Sequence, residues 1–450
     1  MAKAKDTEIL IVKDGALDLV PGVFRSLWPQ GWRPLVIADR NTWAVAGPAL
    51  QAGLEAAGLD PVEAFLIPGQ RSAQGEAEAE VYADDHSVAR VRALLEGNDL
   101  IGIALGSGTI NDVAKRASFE CGKRYLSIPT APSVDGYTSF GASITVGGFK
   151  RTLPCPAPVA VVADSIILRE APYPMIASGY GDLAAKVTAG ADWLIADALG
   201  VQAVDREVWS MVQDNLRKEL AAPAKVASRD PLAVEGIFSG LVATGLAMQQ
   251  LQDSRPASGA DHLFSHAWEM GRLATHRPHA SHGFMVALGS LVSTAMMTEM
   301  LKLDARDLRG FFEGAPWLAW EGREAQLSSF FGESPGLEES LEICRQKHRE
   351  GPVLAQRRAA ILDGWDRVRT AVERQILPFA VLRSMFQTVG APVEAADIDL
   401  TLEEFRRGIH LAQLIRTRYT VLDYLYEIGA LDSVISTIMD GRSYFSRFAQ

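Results

Sequence analysis

The run LIGIALGSGTINDVAKRA, residues 100–117, passes from an apolar stretch through a Gly-Ser-Gly turn into a segment of helical spacing. A short uncharged run of this kind suits a strand covered on both faces. Gly106 and Gly108 let other groups approach the backbone closely. The helix start behind them offers unpaired N–H groups and the positive end of a dipole to a phosphate. The pattern is GxGxxN: Asn111 stands where the dinucleotide-binding fingerprint has glycine, and the turn follows a late strand rather than the first. Two readings are open. Gly106, Ser107, Gly108 and Thr109 form a phosphate-binding turn, or they form a tight strand-to-helix junction with no ligand.

Outward from this turn, brief apolar runs bounded by Gly, Pro or Asp read as strands: RPLVIAD (33–39), EAFLIP (63–68), DLIGIAL (99–105), RYLSIP (124–129) and PVAVVAD (158–164). Between them, 42–57 and 84–95 carry helical spacing, with Asn41 and Asp84 as caps. The alternation argues for a parallel α/β sheet. Asp39, at the end of the first of these strands, is placed either to accept hydrogen bonds from a ribose or to cap a helix. From Ala171 the strand runs stop, and helical segments follow at 174–198, 204–220, 231–252, 260–275 and 282–301, with several more to the end. The expected organisation is an α/β nucleotide-binding domain over 1–168 and an all-α domain over 169–450, two domains being the default for 450 residues. The small, polar stretch 69–80 reads as a solvated connection, and the charge-rich stretch 332–351 as an exposed insertion or helix face.

Composition narrows the function classes. A net charge of −11 argues against a general nucleic-acid binder and against an anionic membrane surface, so an anionic substrate needs a local cluster of cations. The N-terminal MAKAKDTEILIVKDG has no apolar core of a signal peptide, and the long uncharged run Gly283–Thr298 is short for a membrane span and reads as a buried helix. Three scattered cysteines give neither a metal-binding pair nor a disulfide framework. A reducing, cytoplasmic location is expected.

Five of the eight histidines fall within SGADHLFSHAWEMGRLATHRPHASHG, residues 258–283. His262 and His266 lie four apart in a segment of helical spacing and share one face. His282 opens the next apolar helix and can return to that face. Imidazoles bind zinc, nickel or iron, but two need a third ligand, usually a carboxylate. The candidate is Asp182 in GYGDLAAK (179–186), read as opening a helix behind two glycines. One Asp and two His leave a coordination position open, as catalytic sites do. The plain alternative is a pair of hydrogen-bonded or surface histidines. A second rich stretch, SIPTAPSVDGYTSFGASITVGGFKRT (127–152), offers Thr130, Ser133, Asp135, Ser139 and Thr152 to a cofactor and substrate groove, with Lys150 and Arg151 as cations. Its plain alternative is a long solvated hairpin with a lysine at the tip.

GSGTINDVAK (106–115), TAPSVDGYTS (130–139), GGFKRT (147–152), GYGDLAAK and ADWLIAD (191–197), with RTRYTVLDYLYEIGAL (416–431), resemble the sn-glycerol-1-phosphate dehydrogenases. That family belongs to the glycerol dehydrogenase, iron-dependent alcohol dehydrogenase and dehydroquinate synthase superfamily. The resemblance implies a dehydroquinate synthase-like fold, an N-terminal α/β nucleotide-binding domain plus an all-α C-terminal domain, with the active site in the interdomain cleft. It assigns one divalent ion (zinc, nickel or iron) to Asp182, His262 and His282, and a place near the substrate to His266. Gly106, Ser107, Gly108 and Thr109 match the pyrophosphate turn of an NAD or NADP site, Asp39 an adenosine contact, and Thr130 and Ser139 contacts near the nicotinamide. Asp135 matches a substrate-side residue, and Lys186 stands where a cation would hold a phosphate. Arg416 and Arg418 are phosphate contacts or plain helix-face charge, whereas His276 and His279 read as loop surface.

The implied reaction is reversible hydride transfer between NAD(P)H and dihydroxyacetone phosphate, giving sn-glycerol 1-phosphate. The implied partners are a small phosphorylated ketone or polyol and further copies of the chain in a homo-oligomer, with no nucleic acid and no membrane. Two departures bear on this. Many relatives follow the second metal histidine with Gly-Glu, whereas His282-Gly283 here precedes Phe284 and Met285, which touches substrate identity. The chain also exceeds typical relatives in length, with the excess between about Trp317 and Gly364. A polyol dehydrogenase, a lyase of the dehydroquinate synthase type and a non-catalytic nucleotide-binding relative are the rival readings; the lyase has Glu where this chain has Asp182.

Overall fold

The computed structural model describes residues 4–28, 30–69, 81–147, 149–274, 280–314, 317–332 and 336–449. Its centre is a six-stranded sheet built from β1 (Ile9–Lys13), β2 (Arg33–Ala38), β3 (Phe65–Leu66), β4 (Leu100–Gly106), β5 (Leu126–Pro129) and β8 (Ala160–Asp164), in the order β1-β8-β5-β4-β2-β3. Every pairing is parallel. Side chains alternate between two cores. Val36, Ile101, Ile103 and Leu105 pack on one face of the sheet, while Leu35, Ile37 and Ala104 pack on the other with Val113 and Ala117 of the helix Gly108–Glu120. Burial on both faces is why these strands read as continuous apolar runs.

Strand order locates the ligand side. The chain runs from β2 out to the edge strand β3, then returns to β4 on the other side of β2. A doubly wound sheet binds ligands beyond the carboxyl ends of its strands at such a reversal. β2 and β4 pair in register through Ile37 and Ala104, so Asp39 and the Gly106–Thr109 turn leave the sheet side by side at that point.

The expected parallel sheet is present, with differences in detail. β1 has no counterpart among the expected strands; its ILIVK run carries a lysine and lies at the sheet edge. β3 keeps only two residues. The helix Arg40–Ala56 is capped by Asp39 rather than Asn41, because the Asp39 carboxylate accepts the Thr42 N–H while the Thr42 hydroxyl accepts the Asp39 N–H. The 127–152 stretch ends in an antiparallel hairpin, β6 (Ala142–Val146) with β7 (Phe149–Leu153).

Among the described residues every element after β8 is helical. By compactness the chain divides otherwise: one unit is 1–183, 207–254 and 273–283, the other 184–206, 255–272 and 284–450. The helix Tyr173–Ala198 is buried almost all round, and Asp182 is its tenth residue, not its first. Glycines 179 and 181 do not break it, because a buried helix keeps its backbone bonds where water cannot compete and small residues let neighbours close in. The helices Pro231–Leu251 and His282–Met300 are long and apolar enough to cross a membrane, but 83% of the most apolar window of the latter is buried inside the protein. The histidine-rich segment supplies the helix Ala260–Ala274 and, from His282, the next one. His276 and His279, together with 70–80, lie outside the described residues.

Candidate active site

Asp182, His262 and His282 each present a ligand atom, and these atoms all lie within 4.8 Å of one another. Three different elements bring them there: the middle of Tyr173–Ala198, the first turn of Ala260–Ala274, and the first residue of His282–Met300. Gly283 allows the last of these approaches, because a Cβ at that position would collide with the Ser178 carbonyl. Asp182 is fully buried and His262 nearly so. The Asp135 backbone N–H donates to Asp182 Oδ2 at 3.0 Å and orients the carboxylate.

A second carboxylate sets His262. Asp261 Oδ1 lies 2.6 Å from His262 Nδ1 and also accepts the backbone N–H groups of Gly259 and His262. Its Oδ2 accepts the Thr188 hydroxyl at 2.6 Å. Burial alone would push the Asp261 carboxyl up. The hydrogen bond and charge of His262, with the Thr188 and Gly259 bonds, outweigh burial and hold it below the usual carboxylate range. An ionised Asp261 makes Nδ1 the protonated nitrogen of His262, which leaves Nε2 as the nitrogen with a lone pair for a ligand. One carboxylate and two imidazoles with an oriented second carboxylate suit a borderline divalent ion, zinc, nickel or iron(II), with positions to spare. The residues therefore fit the metal that the sequence implies.

Asp192, in the ADWLIAD motif, anchors the start of the His262 helix. Its two oxygens accept the Ala260 and Val421 N–H groups at 2.7 and 2.6 Å. Burial raises its pKa to about 7, with the nearby Asp261 charge adding to the rise. Arg255, also buried, donates to the Asp192 and Tyr419 carbonyls. Sequence reasoning passed over Asp261 and Asp192 as site residues. The signal was an acidic residue directly before the metal-type histidine and another inside a conspicuous apolar motif.

His266 stands one turn beyond His262 on the same helix, nearly buried, with Nδ1 3.9 Å from Glu269 Oε2. Lys186 is fully buried one turn after Asp182. Asp135 opens the short turn Asp135–Thr138. Arg416 and Arg418 lie between the helices Leu402–Ala412 and Val421–Ile428, so neither is a helix-face charge; Arg418 donates to the Ser258 carbonyl at 2.7 Å.

The residues that the sequence assigns to a nucleotide divide. Ser107 sits at the N-cap of Gly108–Glu120 without spending its hydroxyl on the cap, so the first-turn N–H groups have no side-chain cap there. Gly106 and Gly108 are required by the protein itself, since a Cβ would press on Ile110 at the first and Val134 at the second. Asn111 is a strut: its amide donates to the Gly136 carbonyl and accepts the Tyr125 hydroxyl. That explains why glycine is absent from this position. The buried Lys115 ammonium donates to the carbonyls of Gly136, Ser139 and Gly141 and to the Ser139 hydroxyl. Ser139 is thus engaged by the protein, whereas Thr130 is held beside the turn by its N–H bond to the Gly106 carbonyl. Ser133 meets the Tyr137 hydroxyl at 3.3 Å, and Thr152 faces Ser143 across the hairpin. The Asp112 carboxyl is raised by burial, an effect opposed by the charges of Lys115 and Lys150 and by the Ser143 N–H.

The iron-containing alcohol dehydrogenase family matches residues 11–172. A Bacillus velezensis protein named glycerol-1-phosphate dehydrogenase (NAD(P)+) is 35% identical over 279 residues, which span 62% of this chain and 69% of that protein. A protein of the same name from Halalkalibacterium halodurans is 29% identical over 392 residues, 87% of this chain and 86% of that one. Among solved structures, glycerol dehydrogenase from Schizosaccharomyces pombe has a TM-score of 0.58 at 15% identity, covering 98% of this chain and 93% of its own, a likeness of fold alone. From the extent and identity of the Bacillus velezensis match, the chain belongs to the glycerol-1-phosphate dehydrogenase family.

Proposed function

We propose that the protein interconverts dihydroxyacetone phosphate and sn-glycerol 1-phosphate with NAD(H) or NADP(H), using one divalent ion on Asp182, His262 and His282. The observation that carries this reading is the convergence of those three ligand atoms within 4.8 Å, beside a His262 ring set by an ionised Asp261. When bound, the ion supplies a Lewis acid for the ketone oxygen and the reduced nicotinamide supplies the hydride.

The chain's own residues do the rest. Asp135 holds the Asp182 carboxylate through its N–H, and Asp261 holds the His262 ring. His266, one turn from His262 on the same face, is assigned the proton that neutralises the oxygen after hydride addition. Lys186 is assigned the substrate phosphate, because a fully buried ammonium attracts an anion far more strongly than a solvated one. The first-turn N–H groups behind Ser107 are assigned the pyrophosphate. Asp39, level with that turn, favours NAD over NADP because its carboxylate repels a 2′-phosphate.

The test is reduced-nicotinamide oxidation with dihydroxyacetone phosphate and with unphosphorylated dihydroxyacetone. Turnover of the phosphate ester, with little for the free ketone, is expected. In Lys186→Ala the KM for the ester should rise about tenfold or more while that for the free ketone hardly moves, as loss of one charge-assisted contact requires. Equal effects on both would remove Lys186 from the phosphate site, and preference for the free ketone would make the protein a polyol dehydrogenase.

A further inference from the structure

The stretch that the sequence sets apart as excess length, from about Trp317 to Gly364, lines a cavity within the helical unit together with residues of the 410–432 segment. One lobe has a volume of 390 Å³ and is lined, among the described residues, by Arg323, Lys347, Arg349 and Arg357 against two acids, Asp423 and Glu427. Both acids are already engaged, Asp423 with Lys347 at 2.7 Å and Glu427 with Arg357 at 2.8 Å. Among the described residues, Arg323 and Arg349 therefore face the lobe with neutral partners. Arg323 donates to the side-chain carbonyls of Gln326 and Gln413, at 2.6 and 3.0 Å, and lies over the Tyr426 ring. Arg349 donates to the backbone carbonyls of Gln346 and His348. Arg323 is only 8% exposed. A guanidinium that deep without a counter-charge is unfavourable unless an anion completes it.

A second lobe of 260 Å³ shares Trp317, Arg323, Gln413, Tyr426 and Glu427 with the first, so the two adjoin at Arg323. Its far wall is apolar: Phe311, Leu318, Leu327, Phe330, Leu414 and Leu431. The acid Asp432 at its edge is solvent-exposed and faces His410 at 3.8 Å. Planar, multi-donor guanidinium groups match carboxylate or phosphate oxygens, and the apolar lobe matches a hydrocarbon tail.

We propose that this cavity binds a small amphipathic anion, its carboxylate or phosphate on Arg323 and Arg349 and its apolar part in the second lobe. None of the lining residues is a candidate metal, cofactor or substrate residue, so the site is separate from the chemistry. It is nevertheless tied to it by a hydrogen-bonded route. Tyr419 of the cavity wall accepts Arg255, Arg255 donates to the Asp192 carbonyl, and the Asp192 carboxylate holds Ala260 at the start of the His262 helix.

The test is calorimetric binding of octyl phosphate and octanoate to the full chain, with inorganic phosphate and 1-octanol as probes of each half alone. Saturating sn-glycerol 1-phosphate is present throughout to occupy the proposed substrate site. One saturable site is expected for an octyl anion, the two head groups distinguishing a phosphate ester from a carboxylate. Arg349→Gln, which alters a half-exposed residue and should fold normally, should weaken it about tenfold or more, as loss of a hydrogen bond to a charged group does. Arg323→Gln should weaken it further, and Leu327→Arg should block the tail without touching the head-group contacts. Absence of saturable binding by either octyl anion would overturn the proposal. So would affinity unchanged in Arg349→Gln, or inorganic phosphate binding as tightly as octyl phosphate.

Discussion

Asp261 shows how much of this site rests on single residues outside the ligand set. It takes Nδ1 of His262 and is itself held by Thr188 and Gly259, so the ring has one tautomer and one orientation. Asp261→Asn replaces an ionised acceptor by a group that can also present a donor. Metal affinity, read by chelator competition on folded protein, should fall about 10- to 100-fold, the range for lost carboxylate support of a histidine ligand. Unchanged affinity would make Asp261 a purely structural bond. Asp39 poses a different question, because it caps a helix and also leaves the sheet beside the Gly106–Thr109 turn. Asp39→Ser retains a good cap and removes the charge. Stability should stay within about 0.5 kcal/mol of the parent, as for exchange among good caps. The ratio of kcat/KM for NADPH to that for NADH should rise; no change in the ratio would leave Asp39 a cap alone.

At the scale of elements, two buried ionisable side chains fasten segments that periodicity cannot relate. Lys115 ties Gly108–Glu120 to the 136–141 segment through three carbonyls and a hydroxyl. Lys115→Met should destabilise the protein by about 3 kcal/mol or more in chemical denaturation, since several buried acceptors lose their donor at once. Asp192 does the same for the starts of Ala260–Ala274 and Val421–Ile428. Its pKa, raised to about 7 in the folded protein, implies a stability contribution that is complete below the unfolded value near 4 and lost as pH rises through about 7. Subtracting the stability profile of Asp192→Asn from that of the parent should expose this decline between about pH 4 and 7; a flat difference would show that Asp192 ionises normally.

At the scale of the whole molecule, the elements that the sequence disclosed are those whose burial imposes a pattern. β2, β4, β5 and β8 are covered on both faces and read as unbroken apolar runs, and the helices from 173 to 300 kept their ends within a few residues. β1 has no counterpart in the sequence reading, and β3 is shorter than the 63–68 run, because edge strands are short or mixed in character. In the sequence Asp182 reads as a helix start because Gly-Tyr-Gly resembles a breaker, whereas in this buried helix Gly179 lets the Pro132 backbone close in. The Asp-His-His set was legible as residue types, and the resemblance to a known family carried its grouping. Asp261, Lys115 and the Arg323 cavity were not, since tertiary hydrogen bonds and an unneutralised buried cation leave no periodic trace. Metal on Asp182, His262 and His282 and turnover of the phosphate ester stand or fall together in one experiment. The protein is stripped with a chelator, resupplied with zinc, nickel or iron, and followed for bound metal and for NADH oxidation by dihydroxyacetone phosphate, with His262→Ala alongside. One ion per chain and turnover restored only in the parent are predicted; full turnover by the stripped protein, or by His262→Ala, would contradict the account.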